Sequence, residues 1–386
     1  MKKIKSTFLT LAVVATALSP GFLFAQDTAS LSSSLPTEKD IIAKTEPGVV
    51  RILFDIKGDI VVEPFDFETK TLKFVSLGLK KETIPIDTTF SGTGFVVSPD
   101  GYIVTNAHVV TPDTIRPTLL MSLFQSVLFQ KVLNKEISEN DIKTVVDRFT
   151  SEDLAQREQR AKEGMKFIVF KDIKTTITVF NPATKAANLD GYRKDGFPAT
   201  MVGYPIDYIF NDKDVAIIHI DKTNLPALSL AEKSSIEKGD KLYTFGFPAT
   251  ADINDDDLLS ATFTNGSVSS YKDSSHKDFK IIQTNAKIAE GSSGSPMLND
   301  RGEVVGIITY QSGDQSVGDN FGFAIPMEVT RGLLTDKNVT VGRGEYQRNL
   351  EQGLALKNER HCKNAIESFN QAKTSTDPDF FEDSLD

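Results

Sequence analysis

Residues 288–300 read IAEGSSGSPMLND, a turn rich in glycine and serine inside a stretch that otherwise alternates like β-sheet. Ser293 lies between Gly291 and Gly294, and glycine allows tight backbone turns because it has no Cβ. A serine hydroxyl is a weak nucleophile at neutral pH, so it attacks only where a base takes its proton. Whether this turn is catalytic therefore depends on a histidine and a carboxylate elsewhere in the chain.

The chain has a histidine and an aspartate in suitable places. Of its four histidines, His108 follows a predicted strand in TNAHVV (105–110), and Asp214 precedes an apolar strand in NDKDVAIIHI (211–220). A neutral imidazole can take the serine proton, and a buried carboxylate fixes the imidazole tautomer and stabilises the charged ring. The sequence thus predicts a catalytic triad of His108, Asp214 and Ser293. His219, among apolar residues, is expected to be structural, and His276 to lie in a surface loop.

Short strands surround these residues. Runs such as GVVRILF (48–54) and EVVGIITY (303–310) are rich in β-branched residues and lie near Gly, Pro and Asp. SPDG (98–101) is typical of a turn, so Phe95–Val97 and Tyr102–Thr105 are expected to form a hairpin. Many short strands separated by turns favour a β-sandwich or β-barrel. An α/β-hydrolase does not fit, because the chain has no Gly-x-Ser-x-Gly elbow and its triad order differs.

Six segments follow one another in the order known from one protease family. They are DIIAKTEPGVVRI (40–52), SGTGFVVSPDGYIVTNAHVV (91–110), NDKDVAII (211–218), TNGSVSS (264–270), IIQTNAKIAEGSSGSPMLNDRGEVVGIITY (281–310) and NFGFAIP (320–326). On these motifs the chain resembles the chymotrypsin-like serine proteases, specifically the bacterial HtrA (Deg) type. The resemblance implies a mostly β protein with two six-stranded antiparallel β-barrels, and a protease domain over residues 41–336.

The resemblance also implies roles for individual residues. His108 would be the general base, Asp214 would orient it, and Ser293 would be the nucleophile. The backbone N–H groups of Gly291 and Ser293 would form the oxyanion hole. Such an enzyme hydrolyses peptide bonds through an acyl-enzyme and needs no metal or cofactor. Its substrate would be unfolded or extended polypeptide.

Substrate contacts follow from the same resemblance. Thr309 matches the position whose hydroxyl supports the triad aspartate, and the edge strand from Thr309 to Gln311 would pair with extended substrate. The walls of the specificity pocket would be bulky and uncharged, which predicts small aliphatic residues before the scissile bond. An inward-pointing Lys287 would instead favour an acidic residue there. The predicted substrate-binding residues are Ile288, Thr309, Tyr310, Gln311 and Phe321.

The serine motif departs from the common family pattern. GSSGSP stands where GNSGGP is more frequent, so Ser292 and Ser295 differ. Ser292 is not the aspartate that digestive enzymes pair with a freed N-terminus, so activation by that route is not expected. Glutamyl endopeptidases share GSSGSP but use a histidine on the following strand, where this chain has Ile308.

A helical island interrupts the strands over about 114–166. TLLMSLFQSVLFQKVLN (118–134) has apolar residues at helical spacing, and SENDIKTVVDRF (138–149) repeats it. Ser138 and Ser151 are the predicted helix caps. The island lies between His108 and Asp214, so it is either a lid or partner-docking surface at the active site or a passive elaboration of the fold.

Residues 340–386 are predicted to be a charged helical hairpin. Gly353, Ala365, Phe369 and Ala372 match the spacing of one tetratricopeptide repeat, and no PDZ domain follows the protease. One repeat cannot bury its own apolar face. The hairpin therefore packs on the protease body, docks a protein partner, or continues into further repeats; a plain amphipathic hairpin is the other interpretation.

The N-terminus has the pattern of a signal peptide over residues 1–25. MKKIKS is basic, TFLTLAVVATAL is apolar, and cleavage is predicted after Ala25. An uncleaved anchor is the alternative, but the apolar run is short for a membrane span. Residues 26–40 are polar and read as a linker. The mature chain is expected to be periplasmic or secreted, with no membrane span.

Composition narrows the function further. The chain has 386 residues and a net charge of −10, which disfavours a nucleic-acid partner. Its single cysteine, Cys362, excludes an intramolecular disulfide. The acidic run DINDDD (252–257) lacks the glycine and distal glutamate of an EF-hand loop, so no metal site is predicted.

Two classes of function remain. The first is a serine endopeptidase acting on polypeptide substrates. The second is an inactive protease-fold binding module that recruits protein partners through its helical island and C-terminal hairpin. The reactivity of Ser293 distinguishes the two.

Overall fold

The computed structural model describes residues 35–181, 189–232, 236–248, 261–312, 321–377 and 380. The predicted signal peptide (1–25) and the acidic run at 252–257 lie outside these ranges, as does most of the predicted linker. The last residues of that linker, Glu38 to Asp40, belong to a helix, because Thr37 and Asp40 form a reciprocal capping box at its start. Within the described ranges, no helix has both the length and the apolar character needed to cross a membrane.

The helices in chain order are α1 (Glu38–Thr45), α2 (Ala107–Val110), α3 (Ile115–Leu133), α4 (Glu139–Ser151), α5 (Leu154–Met165), α6 (Leu189–Asp195), α7 (Tyr208–Asn211), α8 (Met327–Asp336), α9 (Glu345–Asn358) and α10 (Cys362–Thr374). The strands are β1 (Val49–Val62), β2 (Phe65–Glu68), β3 (Lys73–Ser76), β4 (Glu82–Val96), β5 (Tyr102–Thr105), β6 (Ile168–Phe180), β7 (Phe197–Gly203), β8 (Ala216–Ile220), β9 (Lys241–Gly246), β10 (Thr262–Asp273), β11 (Lys280–Thr284), β12 (Pro296–Leu298), β13 (Val304–Ser312) and β14 (Phe321–Pro326).

The strands close into two barrels. One barrel has the order β1-β4-β5-β8-β7-β6 and the other the order β10-β11-β14-β13-β12-β9. The described strand pairs within them are antiparallel. The predicted fold class, two six-stranded antiparallel β-barrels with a helical insertion and a C-terminal helical hairpin, is confirmed.

The predicted hairpin with its turn at SPDG leads directly into the helix that contains His108. Phe95 pairs with Val104 across β4 and β5, and Gly101 closes the turn at a φ of 91°. A Cβ on Gly101 would lie 2.1 Å from the Ile220 carbonyl oxygen, so the turn packs directly on the end of β8. The chain then leaves β5 into the short helix α2, which contains His108.

The helical insertion is a packed unit with its own apolar core. Helices α3, α4 and α5 lie between β5 and β6 in the chain and pack over the β2–β3 hairpin. Phe67 on the hairpin meets Phe124 of α3 edge-on, with ring centroids 4.7 Å apart, and Phe65 contacts Phe74 at 5.3 Å. Aromatic pairs of this kind add stability beyond their buried area, so the insertion is held firmly against the first barrel.

One predicted helix cap is wrong. Ser138 caps α4 as expected, in a capping box with Asp141. Ser151, expected to cap the next helix, is instead the last residue of α4, and its hydroxyl donates to the Arg148 carbonyl. Asp153 caps α5 by accepting from the Gln156 N–H at 2.9 Å. Two cap-forming residues stand close together here, and a carboxylate binds the positive helix start more strongly than a hydroxyl does.

The C-terminal hairpin packs on the protease body. Helix α9 contacts α1, where the Asn358 side chain donates to Asp40 at 3.0 Å and Gln347 donates to the Lys44 carbonyl at 3.2 Å. Gly353 of α9 faces the ring of Phe369 on α10, and a Cβ there would lie 2.4 Å from the ring. The two helices therefore cross closely at the glycine, and the hairpin buries its apolar face in cis.

Phe380, beyond α10, is anchored in the first barrel. Its side chain is fully buried in the barrel core and stacks on Phe197 of β7 with centroids 5.5 Å apart. Asn181, just after β6, donates its side-chain N–H to the Phe380 carbonyl. Phe380 thus gives the C-terminal region a second contact with the protease body, in addition to the contact of α9 with α1.

We expect Phe380→Ala to lower the free energy of unfolding by about 3 kcal/mol, since removing a buried ring leaves a cavity. Chemical denaturation of the full chain measures this. Phe129→Ala is the matched control, because Phe129 is 58% exposed on α3. Equal losses in the two variants would contradict the anchoring role of Phe380.

Candidate active site

The loop that carries Ser293 is bonded to β4 of the other barrel through Thr93. The Thr93 N–H donates to the Ser293 carbonyl, and the Thr93 hydroxyl donates to the Gly291 carbonyl, both at 2.8 Å. The Thr93 carbonyl accepts from the Thr105 hydroxyl at 2.7 Å. Thr93 is fully buried, so water does not compete for these bonds.

Gly294 is required by this arrangement. Its φ is 89°, a left-handed conformation that side-chain-bearing residues rarely adopt. A Cβ on Gly294 would lie 1.9 Å from the Thr93 carbonyl oxygen. Only glycine lets the two barrels approach closely enough at the nucleophile.

His108 and Asp214 are fully engaged with each other. The His108 backbone N–H donates to Asp214 Oδ1 at 2.9 Å, and His108 Nδ1 lies 2.5 Å from Asp214 Oδ2. Asn106, at the entry to α2, donates its side-chain N–H to the Asp214 carbonyl at 2.6 Å. The carboxylate therefore fixes both the position of α2 and the ring tautomer with the proton on Nδ1, leaving Nε2 free to accept a proton.

Thr309 supports the same carboxylate. Its hydroxyl donates to Asp214 Oδ2 at 2.9 Å, which agrees with the role predicted for it. Thr309 lies where the pairing of β13 with β14 slips by one residue, between Ile308 and Tyr310. A β-bulge of this kind re-aims a side chain, and here it brings Thr309 to the aspartate.

His108 and Asp214 shift each other's pKa in opposite directions. Burial by itself would lower the pKa of His108, but the charge of Asp214 and its hydrogen bond outweigh burial and raise that pKa. Burial would raise the pKa of Asp214, but the charge of His108 and hydrogen bonds from His108 and Thr309 lower it. Asp214 therefore stays ionised and keeps His108 basic.

Ser293 is not engaged with His108 in this structure. Its hydroxyl donates to the Thr309 carbonyl at 3.0 Å. A hydroxyl has one proton, so the proton is not directed at the imidazole in this rotamer. His108, Asp214 and Ser293 nevertheless line one cleft, and rotation about the Ser293 Cα–Cβ bond re-aims Oγ.

The proposed oxyanion donors, the N–H groups of Gly291 and Ser293, are available. Gly291 has a φ of 92°, and its carbonyl is held by Thr93. Among the described residues, neither amide donates to a protein acceptor. Both are therefore free to bind an oxyanion.

The cleft has a volume of about 580 Å³. Ile288, Thr309 and Tyr310 line it, as predicted, together with Ile281 and Ile325, which the sequence analysis did not single out. The Ile288 side chain packs where Gly322 has none, since a Cβ on Gly322 would lie 1.9 Å from Ile288 Cδ1. Ile288, Ile281 and Ile325 therefore give this part of the cleft an apolar lining.

Phe321, predicted as a substrate-binding residue, lies outside the cleft, and so does Lys287, for which an inward orientation was the alternative. Phe321 is 41% exposed at the start of β14 and is not among the residues that line the cleft. Lys287 is exposed and also outside the cleft. Gln311 belongs to β13, where it pairs with Gly322, and its side chain lies outside the described residues.

The edge expected to bind extended substrate is open over the described residues. β12 pairs with β13 only from Val304 to Ile307, whereas β14 pairs with β13 on the other side as far as Ser312. Thr309 to Gln311 therefore have no strand partner on the side of β12, which leaves backbone groups for a substrate strand.

The helical insertion forms part of the cleft wall. Thr114, Pro117 and Thr118, at the start of α3, line the cleft beside Tyr208 and Phe210 of α7. Across from them, His276 in the β10–β11 loop lies 2.7 Å from Glu158 of α5, so the insertion also contacts the second barrel. His219 is structural, with Nε2 2.9 Å from the Asp100 carbonyl oxygen.

Thr93 is the functional residue that the sequence analysis missed. The available signal was local: Thr93 stands between Gly92 and Gly94 in SGTGF, and a Cβ on Gly92 would lie 2.6 Å from Val109. Small residues on both sides mark a place where other backbone approaches. Within the described ranges, no group of three or more His, Cys, Asp or Glu side chains is placed to hold a metal ion.

Comparison with known proteins shows what this chain is similar to. Residues 167–307 match the family model of the trypsin-like peptidase domain. The chain is 27% identical over 288 residues to a protein named probable periplasmic serine endoprotease DegP-like from Chlamydia pneumoniae, covering 72% of this chain and 42% of that protein. It is 30% identical over 197 residues to serine protease HTRA1 of Xenopus tropicalis, covering 49% of this chain and 39% of that protein.

A crystal structure of a serine endoprotease from Yersinia pestis aligns with 80% of this chain and 70% of its own at 20% sequence identity, with a TM-score of 0.41. This chain spans less than half the length of the two curated relatives above. The resemblance stated from the motifs is confirmed: residues 167–307 match the trypsin-like peptidase domain, and the chain is similar in sequence to DegP/HtrA-type serine proteases.

Proposed function

We propose that this chain is a serine endopeptidase that hydrolyses peptide bonds through His108, Asp214 and Ser293. The observation that carries the proposal is the His108–Asp214 pair, with Nδ1 2.5 Å from Oδ2, in the same cleft as Ser293. Free N–H groups at Gly291 and Ser293 support it. A structural histidine would not need a buried carboxylate, an accessible second nitrogen and a serine facing one cavity.

The reaction follows from these contacts. As the Ser293 hydroxyl turns to His108, Nε2 takes its proton and Oγ bonds to the scissile carbonyl carbon. The N–H groups of Gly291 and Ser293 stabilise the resulting oxyanion. The imidazolium then gives its proton to the leaving amine as the C–N bond breaks, and an acyl-serine remains. Water, deprotonated by His108, hydrolyses the ester and restores the enzyme.

The proposed substrate is unfolded or extended polypeptide with a small aliphatic residue before the scissile bond. The open side of β13 from Thr309 to Gln311 would bind the substrate backbone. Ile288, against Gly322, limits the depth of the pocket. A preference for an acidic residue before the scissile bond, through Lys287, has less support, since Lys287 is exposed outside the cleft.

We also propose that the enzyme works in the periplasm or is secreted after cleavage near Ala25. A basic segment followed by an apolar one at the N-terminus supports export. One relative carries "periplasmic" in its name.

A second candidate, an inactive binding module, is favoured by one contact. The Ser293 hydroxyl donates to the Thr309 carbonyl and not to His108. The two candidates differ in whether Ser293 can become an activated nucleophile.

Covalent labelling with a fluorophosphonate probe tests the proposed function. We expect the full chain to be labelled, and Ser293→Ala and His108→Ala to lose labelling, because the probe needs an activated serine. Thr144→Ala, an exposed hydroxyl on α4 outside the cleft, is the matched control and should leave labelling at Ser293. Absence of labelling in the parent chain, with and without added unfolded protein, would support the binding module instead.

The pH dependence of peptide hydrolysis reports the His108–Asp214 pair. Only neutral His108 can act as base, and its pKa is raised, so kcat/KM should rise with pH through a midpoint above the usual value of about 6.5. In Asp214→Asn burial is unopposed, so the midpoint should fall while kcat drops by about 10⁴-fold. The exposed Asp221→Asn is the control. An unchanged midpoint in Asp214→Asn would refute the coupling.

Ile288→Ala should deepen the pocket. For peptides that differ only in the residue before the scissile bond, we expect the ratio of kcat/KM for Phe over Val to rise about tenfold, because pocket volume sets such discrimination. Ile366→Ala, an isoleucine 60% exposed on α10, should leave the ratio unchanged. A constant ratio in Ile288→Ala would place the specificity pocket elsewhere.

A further inference from the structure

Helix α3 has an outward face without charged side chains. Positions 118, 121, 122, 125, 129 and 133 fall within about 120° of arc at 100° per residue, and all six side chains are exposed. Met121, Phe129 and Leu133 are 55–58% exposed. We call this face the α3 stripe; its members are Thr118, Met121, Ser122, Gln125, Phe129 and Leu133.

The hydroxyl groups of Thr118 and Ser122 in the stripe, and of Ser126 beside it, donate within the helix, while their oxygens and the exposed Gln125 amide can still hydrogen-bond outward. Thr118, Ser122 and Ser126 each donate to the carbonyl four residues earlier, at 2.8, 3.2 and 2.9 Å. A partner that covers the stripe would therefore not have to break hydrogen bonds between these donors and water.

The other helices of the insertion differ. The α3 sequence IRPTLLMSLFQSVLFQKVL has charge only at Arg116 and Lys131, whereas α5, LAQREQRAKEGM, is rich in charged residues. Helices α4 and α5 thus have the polar surface typical of a solvent-facing helix. Half of the α3 stripe is apolar: Phe129 and Leu133 are one turn apart, and Met121 lies about two turns before Phe129 with the polar Gln125 between them. Large exposed apolar side chains grouped on one uncharged helix face favour a contact surface.

The stripe begins inside the catalytic cleft. Thr118 is both a stripe residue and a cleft-lining residue. Pro117, the residue before it, and Thr114, about one turn earlier, line the cleft with Ser293 and His108. A polypeptide held at Ser293 must leave the cleft past one of its walls. The start of α3 is such a wall, and the stripe continues from it along the helix.

We propose that the α3 stripe binds apolar segments of the polypeptide substrate that extend beyond the catalytic cleft. This rests on the proposed endopeptidase function and adds a preference for substrates with an exposed apolar segment beside the cleavage site. From Thr118 to Leu133 the stripe is roughly 22 Å long, which matches about seven residues of extended chain. Unfolded proteins supply such segments, whereas folded ones bury them.

Peptide binding in the Ser293→Ala chain tests this without hydrolysis. Fluorescence anisotropy would compare peptides that share one cleavage segment and differ only in a seven-residue tail, Leu/Phe-rich or Ser/Gly-rich, placed at either end. We expect an apolar tail at one end to tighten binding about tenfold. In the double variant Met121→Ser/Phe129→Ser, the ratio of the Kd for the Ser/Gly-rich tail to the Kd for the Leu/Phe-rich tail should fall to about one, because the apolar contact is lost.

The matched control is Val146→Ser/Ile366→Ser, which removes two exposed apolar side chains outside the stripe and should keep the tenfold ratio. A ratio that survives Met121→Ser/Phe129→Ser would overturn the proposal. The proposal would also be overturned if Met121→Ser/Phe129→Ser changed only the association state of the chain, measured by sedimentation, and not peptide binding. That result would assign the stripe to a contact between two copies of the chain. If the parent chain fails to hydrolyse these peptides while the binding ratio behaves as expected, the proposed function falls and the apolar binding surface remains.

Discussion

The site depends on the contact between Thr93 and the nucleophile loop. The proposed catalytic groups come from both barrels, His108 and Asp214 from one and Ser293 from the other, so the relative position of the barrels decides whether these groups face one cleft. Thr93 fixes that position with both its N–H and its hydroxyl, which bond to backbone carbonyls on either side of Ser292. Gly294 makes the approach sterically feasible. A buried residue with all of its polar groups satisfied holds such a geometry rigidly.

In the proposed triad, His108 and Asp214 are already hydrogen-bonded to each other, whereas the alignment of Ser293 with His108 depends on the Ser293 side-chain rotamer. The carboxylate of Asp214 is saturated by His108 and Thr309, so the base is set before substrate arrives. The Thr309 carbonyl also accepts a hydrogen bond from the Ser293 hydroxyl. One residue at the bulge of β13 therefore contacts both the Asp214 carboxylate and the Ser293 hydroxyl. A substrate strand that pairs beside Thr309 would bind where the serine is held. Substrate binding and release of the hydroxyl are thus physically adjacent events.

Much of this was readable from the sequence, because the triad residues lie in short local motifs: TNAHVV, NDKDVAII and GSSGSP. The two barrels were implied by the family resemblance, whereas the strand patterns alone left a sandwich or a barrel open; the insertion followed from its apolar spacing. What was missed depends on contacts between distant positions. Thr93 acts on a loop 200 residues away, Phe380 fills a barrel formed by residues from the other end of the chain, and Phe321 turned outward. The choice between Ser151 and Asp153 as a cap depends on where α4 ends, which local pattern does not define.

The helical insertion links the packing of the fold to the geometry of the cleft. It enters the chain just after α2, so the same backbone that positions His108 continues into α3 within a few residues. An insertion at this point would disturb the base if it were loosely packed, and the Phe67–Phe124 contact with the β2–β3 hairpin prevents this. Once α3 is fixed, its first turn becomes a wall of the cleft and its uncharged face becomes an extension of that wall. A rigid helix that must be anchored beside the base can therefore add substrate contacts without moving any catalytic group.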